Sequence, residues 1–237
     1  MHIHSCLSPC GELDMTPRRI IGRAKEKGLD IIAIADHNSA ENLETAIAAA
    51  EKAGITVMPA MEITSSEEVH VLAYFGSLEK AARMQELVYG RLPQGAQNDE
   101  KLWGEQVVVN EADEVLGFNP RLLIGATTIP LSELVPEIHA LGGLAVASHF
   151  DKGAFSVISQ LGFVPEGIAF DAFEVFSGGA EALAMVPAGT ALIRSSDAHR
   201  PEDIGARSTR FLIDGPEFPE IALAFRGGQG RKVFFDI

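Results

Sequence analysis

Cysteine, tryptophan and tyrosine are nearly missing from this chain, with two, one and two residues among 237. Two thiols, Cys6 and Cys10, do not make a secreted disulfide scaffold, so a reducing compartment and a cytoplasmic location are expected. Basic residues are scarce as well: 19 Lys and Arg stand against 33 Asp and Glu, a formal net charge of -14. Proteins that grip long nucleic acid draw most of their affinity from Lys and Arg on phosphates, and this balance argues against such a partner. No apolar run approaches the roughly 18 residues of a bilayer span, and no basic segment followed by an apolar stretch opens the chain as a secretory signal does. No membrane partner is expected. A hydrophobic content of 46% and a length that suits one α/β unit of about 200–250 residues point to a single domain over residues 1–237.

Short apolar runs alternate with helical patterns, the signature of parallel strands linked by helices. Strands are expected at residues 1–4, 31–35, 56–61, 69–75, 144–148, 172–176 and 191–195, seven in all. Thr16 is a good N-cap with Pro17 behind it, and Ile20, Ile21 and Ala24 supply one apolar helix face. Further helices are expected at 41–52, 79–89 and 131–141. The rhythm breaks at residues 77–124, read as a small insertion or lid, and residues 207–213 and 232–235 read as a peripheral ribbon. The first strand has almost no length ahead of its first histidine, so residues upstream of Met1 are expected.

The seven histidines carry the chemistry. His2 and His4 are two apart, so on a strand both point to one face and can grip one ion. His-x-His alone is weak evidence. It is joined by Asp36-His37 after the second strand, Glu62 after the third, His70 in the fourth, His149 after the fifth and Asp197 with His199 after the seventh. Active sites of parallel α/β barrels form at strand C-termini, where a packing histidine has no reason to cluster. His70, near the start of its strand, fits less well, and His139 lies in a helix and is set aside. Each residue singly is as readily a packed or solvated side chain. Eight such groups exceed the roughly four to six that one ion takes, so two or three divalent ions (Zn, Fe or Mn) are expected, with Glu62 as the bridge.

These segments, HIHSCLSPCG at 2–11, IAIADHNS at 32–39, AMEITSSEEVH at 60–70, ASHFD at 147–151 and SSDAH at 195–199, resemble the polymerase and histidinol phosphatase (PHP) superfamily of metal-dependent phosphoesterases. The resemblance implies a distorted seven-stranded (β/α)7 TIM-like barrel with up to three metals at its mouth. By position, His2, His4, Glu62 and Asp197 would hold the first ion, and Glu62, His70 and His149 the second. His37 and His199 would hold the third, completed in relatives by a His or Asp where this chain has Pro9 and Cys10. Cys10 is then either a thiolate ligand favouring Zn or Fe, or a small apolar residue beside an empty position.

The expected activity is hydrolysis of a small phosphomonoester, nucleotides included, by water that the ions activate. Asp36 is the catalytic candidate, orienting an imidazole or shuttling a proton, with loop capping as its ordinary alternative. Lys152, Arg194 and Arg200 are substrate-binding candidates for the phosphate, each equally readable as a solvated charge. Gly178-Gly179 reads as a tight turn sooner than as an anion nest. Three other functions compete. One is a nuclease or nucleotide phosphatase of the same superfamily, for which the acidic balance disfavours long nucleic acid but not a nucleotide. Amidohydrolase-like C–N hydrolases also open with His-x-His, but add a lysine on a middle strand that is not seen here. A metal-binding regulatory module that has lost catalysis would show replaced ligands, and only the Cys10 place is atypical.

Overall fold

The computed structural model describes residues 1–235. Its ten strands are β1 (Ile31–Ile34), β2 (Thr56–Thr64), β3 (His70–Tyr74), β4 (Val107–Val109), β5 (Val115–Phe118), β6 (Leu144–Ala147), β7 (Ala172–Glu174), β8 (Ala191–Ile193), β9 (Arg210–Leu212) and β10 (Lys232–Phe234). Six of them form one curled sheet in the order β1-β2-β3-β6-β7-β8. Residues 1–4, expected as a seventh, do not pair as a strand. Ile3 alone bridges Ile34 on one side and Ala198 on the other. His4 N–H donates to Ala198 O at 2.9 Å and Ala35 N–H to Ile3 O at 2.8 Å, so a single residue joins the two edges of the sheet.

The expectation of parallel strands throughout also needs correction. The pairs β1–β2, β6–β7 and β7–β8 are parallel, whereas β3 runs antiparallel to both β2 and β6. Only residues 65–69 separate β2 from β3, and a parallel crossover needs a dozen or more. A hairpin is what so short a connection permits.

Period-two alternation then sorts each strand into two faces. Ile32, Ile34, Ile63, Val71 and Ala73 pack with the helices Pro17–Glu26, Leu43–Ala53 and Leu131–Ala140. Ala33, Ala35, Met58, Ala60, Leu72, Tyr74, Val146, Ala172 and Ile193 form a second cluster inside the curl. Each fully buried Leu or Ile there contributes roughly 1.5–3 kcal/mol. Helix Phe218–Phe225 adds Ile221 and Phe225 to this inner cluster, closing the end of the curl away from the histidines. Continuing the inner register gives His37 after Ala35, Glu62 after Ala60, His70 before Leu72, Ser148 after Val146, Glu174 after Ala172, and Asp197 four after Ile193.

Helix signals in the sequence hold: the Thr16 side chain accepts from Arg19 N–H, and Gly54 ends Leu43–Ala53 with φ 72°. The expected ribbon is β9 paired with β10. Residues 77–124 contain helix Leu78–Tyr89, the short helix Glu100–Trp103 and the ribbon β4–β5. They are fastened to the barrel by polar bonds. Val107 N–H donates to Cys6 O at 2.8 Å, Asn42 Nδ2 donates to Val107 O at 3.0 Å, and Asn38 Nδ2 donates to Leu123 O at 2.7 Å. Gly104, at φ 103°, lies so close to Pro9 that an added Cβ would sit 2.3 Å from its carbonyl oxygen.

Candidate metal centre

Glu62, 1% exposed, stands at the middle of five imidazoles. Its Oε1 faces His2 Nε2 at 3.4 Å, His70 Nδ1 at 3.2 Å and His149 Nε2 at 3.4 Å. Its Oε2 faces His4 Nε2 at 3.4 Å and His37 Nδ1 at 3.2 Å. Asp197 Oδ1 closes the ring at 3.5 Å from His2 Nε2 and 3.4 Å from His4 Nε2. The antiparallel course of β3 explains His70: the first residue of a reversed strand lies at the same end as the last residues of its neighbours. His149 and Asp197 reach the centre from left-handed backbone, φ 25° and 49°. Such conformations cost of order 1–3 kcal/mol for non-glycine residues and cluster at functional sites.

A shell behind these residues fixes which nitrogen each imidazole presents. His2 Nδ1 hydrogen-bonds Glu174 Oε2 at 3.0 Å, and His199 Nδ1 bonds Asp197 O at 2.8 Å. His4 Nδ1 bonds Ser8 Oγ at 3.0 Å. The Ser8 hydroxyl donates to Asp36 Oδ1 at 2.6 Å and accepts from His37 N–H at 3.1 Å, so its lone pairs are directed at donors. In all three histidines Nδ1 is engaged with an acceptor and Nε2 is the nitrogen left for the centre, the usual arrangement of a metal-ligating imidazole. Glu174 also accepts from His149 N–H at 2.9 Å. Neither Glu174 nor Ser8 stands out in the sequence, although a carboxylate within the apolar stretch AFEVF was a usable signal.

Electrostatics follow from this packing. Burial opposes charging His2, but Glu174, Glu62 and Asp197 outweigh it and raise its pKa well above the ordinary value. Burial and the neighbouring His199 lower His4 to about 4. Burial would raise Glu62, yet His70 and His2 hold it well below the carboxylate range. Burial raises the Cys10 thiol, and Glu62, Asp197 and Asp36 raise it further, so an isolated thiolate is disfavoured there.

The residues fit divalent metal. His2 Nε2 and His4 Nε2 are 3.1 Å apart, a separation at which both can reach one ion. Buried Nδ1 atoms of His37, His70 and His149 have no hydrogen-bond partner. Donor separations of 3.2–3.5 Å match the roughly 3.3–3.4 Å between tetrahedral ligands with metal–nitrogen bonds of about 2.0–2.1 Å. Three groups have ligand atoms mutually within 4.8 Å: His2, His4 and Asp197; His37, Glu62 and His70; and His4, Cys10, His37 and His199.

Residues 1–116 match the family model of the PHP domain. Residues 1–116 carry the PHP-domain pattern. Among solved structures, the chain is similar to a lesion-specific endonuclease of Pyrococcus furiosus at TM-score 0.72 and 20% identity, covering 98% of this chain and 56% of that one. An endonuclease Q bound to a 27-mer duplex with an abasic lesion at its active site matches at TM-score 0.69 and 20% identity, over 98% of this chain and 57% of that one. A Bifidobacterium adolescentis protein assigned as a metal-dependent phosphoesterase matches at TM-score 0.57 and 19% identity, covering 87% and 90% of the two chains. At these identities the likeness speaks for the fold, and this chain spans little more than half of either endonuclease. A comparison with curated proteins finds no match.

The remaining site candidates of this PHP domain separate. Lys152 lies at the mouth, its Nζ 2.9 Å from Asp197 Oδ2 and 5.5 Å from the Phe176 ring centre. Arg200 is on the rim, paired with Glu12 at 3.1 Å. Arg194 is elsewhere: its backbone N–H donates to Thr209 and its guanidinium lies over Phe235, away from the histidines. Asp36 is buried behind the ligands, accepting from Ser5 N–H at 2.7 Å, Ser5 Oγ at 2.6 Å and Ser8 Oγ. The Gly178 turn does form a cradle of N–H groups, but the Asp151 carboxylate fills it, accepting from Phe176, Ser177 and Gly178 N–H. Cys6 and Cys10 are both free thiols. Among the described residues no helix is long and apolar enough to cross a membrane.

Proposed function

We propose that this PHP domain is a metal-dependent phosphoesterase that hydrolyses a small phosphomonoester, nucleotides included, at a centre of two or three ions bridged by Glu62. The observation that carries the reading is the division of Glu62: one oxygen faces His2, His70 and His149 and the other faces His4 and His37. His2, His4 and Asp197 would hold one ion, His70 and His149 a second, and His37 with His199 a third. Zn, Fe or Mn bound there would lower the pKa of water toward neutrality and neutralise charge on phosphate. Glu174 and the Asp36–Ser8 pair hold the imidazoles in register, so Asp36 is a positioning residue. Lys152, now donating to Asp197, is placed to turn to a phosphate oxygen once Asp197 binds metal, and Arg200 offers a second cation at the rim. Residues 77–124 act as a lid only at the side of the Cys6–Cys10 loop, to which they are bonded. Two free thiols favour work in the reducing cytoplasm.

The likeness to lesion-specific endonucleases favours nuclease action as the second reading, and a C–N hydrolase is third because Glu62 occupies the bridging place. Metal-loaded protein should hydrolyse p-nitrophenyl phosphate and nucleoside monophosphates, and His149→Ala should remove that activity. Turnover of an abasic duplex with no monoester hydrolysis would transfer the assignment to the nuclease reading, and no metal-dependent turnover of any phosphoester would end both. Lys152→Ala should raise KM for the monoester about 10–100-fold with a smaller change in kcat, as expected for a lost charge-assisted phosphate contact.

A further inference from the structure

Cys10 is six residues beyond His4 on a loop whose course is fixed on both sides. A Cβ at Gly11 would meet Ser5 O at 2.6 Å, and one at Gly104 would meet Pro9 O at 2.3 Å. Within that tight turn the Cys10 sulfur comes together with nitrogens of His4, His37 and His199, all ligand atoms within 4.8 Å of one another. His37 is 4% exposed with Nδ1 facing Glu62 Oε2 at 3.2 Å, which leaves its Nε2 for this group, while His199 has Nδ1 tied to Asp197 O, which likewise leaves its Nε2. His4 has one free nitrogen, Nε2, already facing Glu62 and Asp197. It cannot serve two ions, so the group keeps one sulfur and two nitrogens and an open fourth position. Cys6 is no substitute, since it is buried with its sulfur 3.7 Å from Val107 O and packed against Val107 and Val109.

Resting on the metal-dependent reading above, we propose that Cys10 is a thiolate ligand to the third ion and makes that position selective for zinc-class ions over manganese and magnesium. Thiolate is a softer donor than the carboxylate or imidazole it replaces, and soft donors favour Zn, Co and Fe over Mn and Mg. Binding breaks the Cys10 S–H bond, forms one S–metal bond and releases one proton to solvent. The exposed edge of the loop gives the ion a way in.

The test is cobalt(II) added to the metal-free full chain, followed by absorption in the near ultraviolet, with total ions counted by elemental analysis. Wild type should show a thiolate-to-cobalt charge-transfer band and lose the reactivity of one thiol toward alkylation. Cys10→Ser should lose the band, bind one ion fewer and prefer zinc over manganese about tenfold less or lower still. Cys10→His should restore the ion count without the band, and Cys6→Ser should leave both unchanged. Ions bound by wild type without a sulfur band, or a band that survives in Cys10→Ser, would overturn the thiolate while leaving the phosphoesterase reading intact. No ion bound at all would overturn both.

Discussion

At the scale of single residues, the decisive feature is the outer set of acceptors that chooses a nitrogen on each imidazole. Glu174 holds His2 at 3.0 Å and His149 N–H at 2.9 Å, so Glu174→Gln keeps the shape but loses the charge. It should weaken metal binding about 10–100-fold, the usual effect of losing such a partner, as read by competition with a chromophoric chelator, and leave the fold unchanged by circular dichroism. Asp36→Asn should act through Ser5 and Ser8 in the same direction. An unchanged affinity in both would show that these acceptors merely fill space. The clustering residues were legible, because His, Asp and Glu at strand ends are chemically conspicuous. Glu174 showed only as a carboxylate in an apolar stretch whose partner His2 lies 172 residues away, and Ser8 only as one serine of a turn, while Arg194 turns toward Phe235 because closeness to Asp197 in sequence says nothing of which side of a strand end a long side chain takes.

At the scale of elements, the reversed β3 and the insertion set the site. The antiparallel β3 places His70 beside Glu62, and its direction was written in the brevity of residues 65–69, a stronger signal than the apolarity that marks it as a strand. Residues 1–4 show the opposite: a segment read as a strand forms only the bridge at Ile3. The insertion reads as a break in rhythm, but its bond to the Cys6–Cys10 loop depends on Gly104, whose close approach to Pro9 no pattern announces. Gly104→Ala should force that loop away, costing about 1–3 kcal/mol and lowering Tm by several degrees for a chain of this size. A Tm equal to wild type would mean the loop yields freely. Asp151→Ala should destabilise the turn after β7, where three backbone N–H groups lose their acceptor.

At the scale of the molecule, a net charge of -14 is compatible with a site that concentrates buried carboxylates and imidazoles in one mouth and relies on cations to balance them. Binding confined to the folded state stabilises it, by about 2.7 kcal/mol per ion at a hundredfold excess over Kd, so zinc should raise Tm by roughly 5–11 °C per tightly bound ion and a chelator should reverse the gain. The α/β class and the end at which the histidines gather were legible because alternation and strand-end chemistry are local. Strand count and direction were not, because they are settled by pairing partners far apart in the chain. The central claim, a Glu62-bridged centre of more than one ion, is tested most directly by elemental analysis of the wild-type chain beside Glu62→Gln. Two or three ions per chain are expected in the wild type, with loss of at least one on replacing Glu62; fewer than one ion per chain in the wild type, or an undiminished count in Glu62→Gln, would rule out a bridged centre.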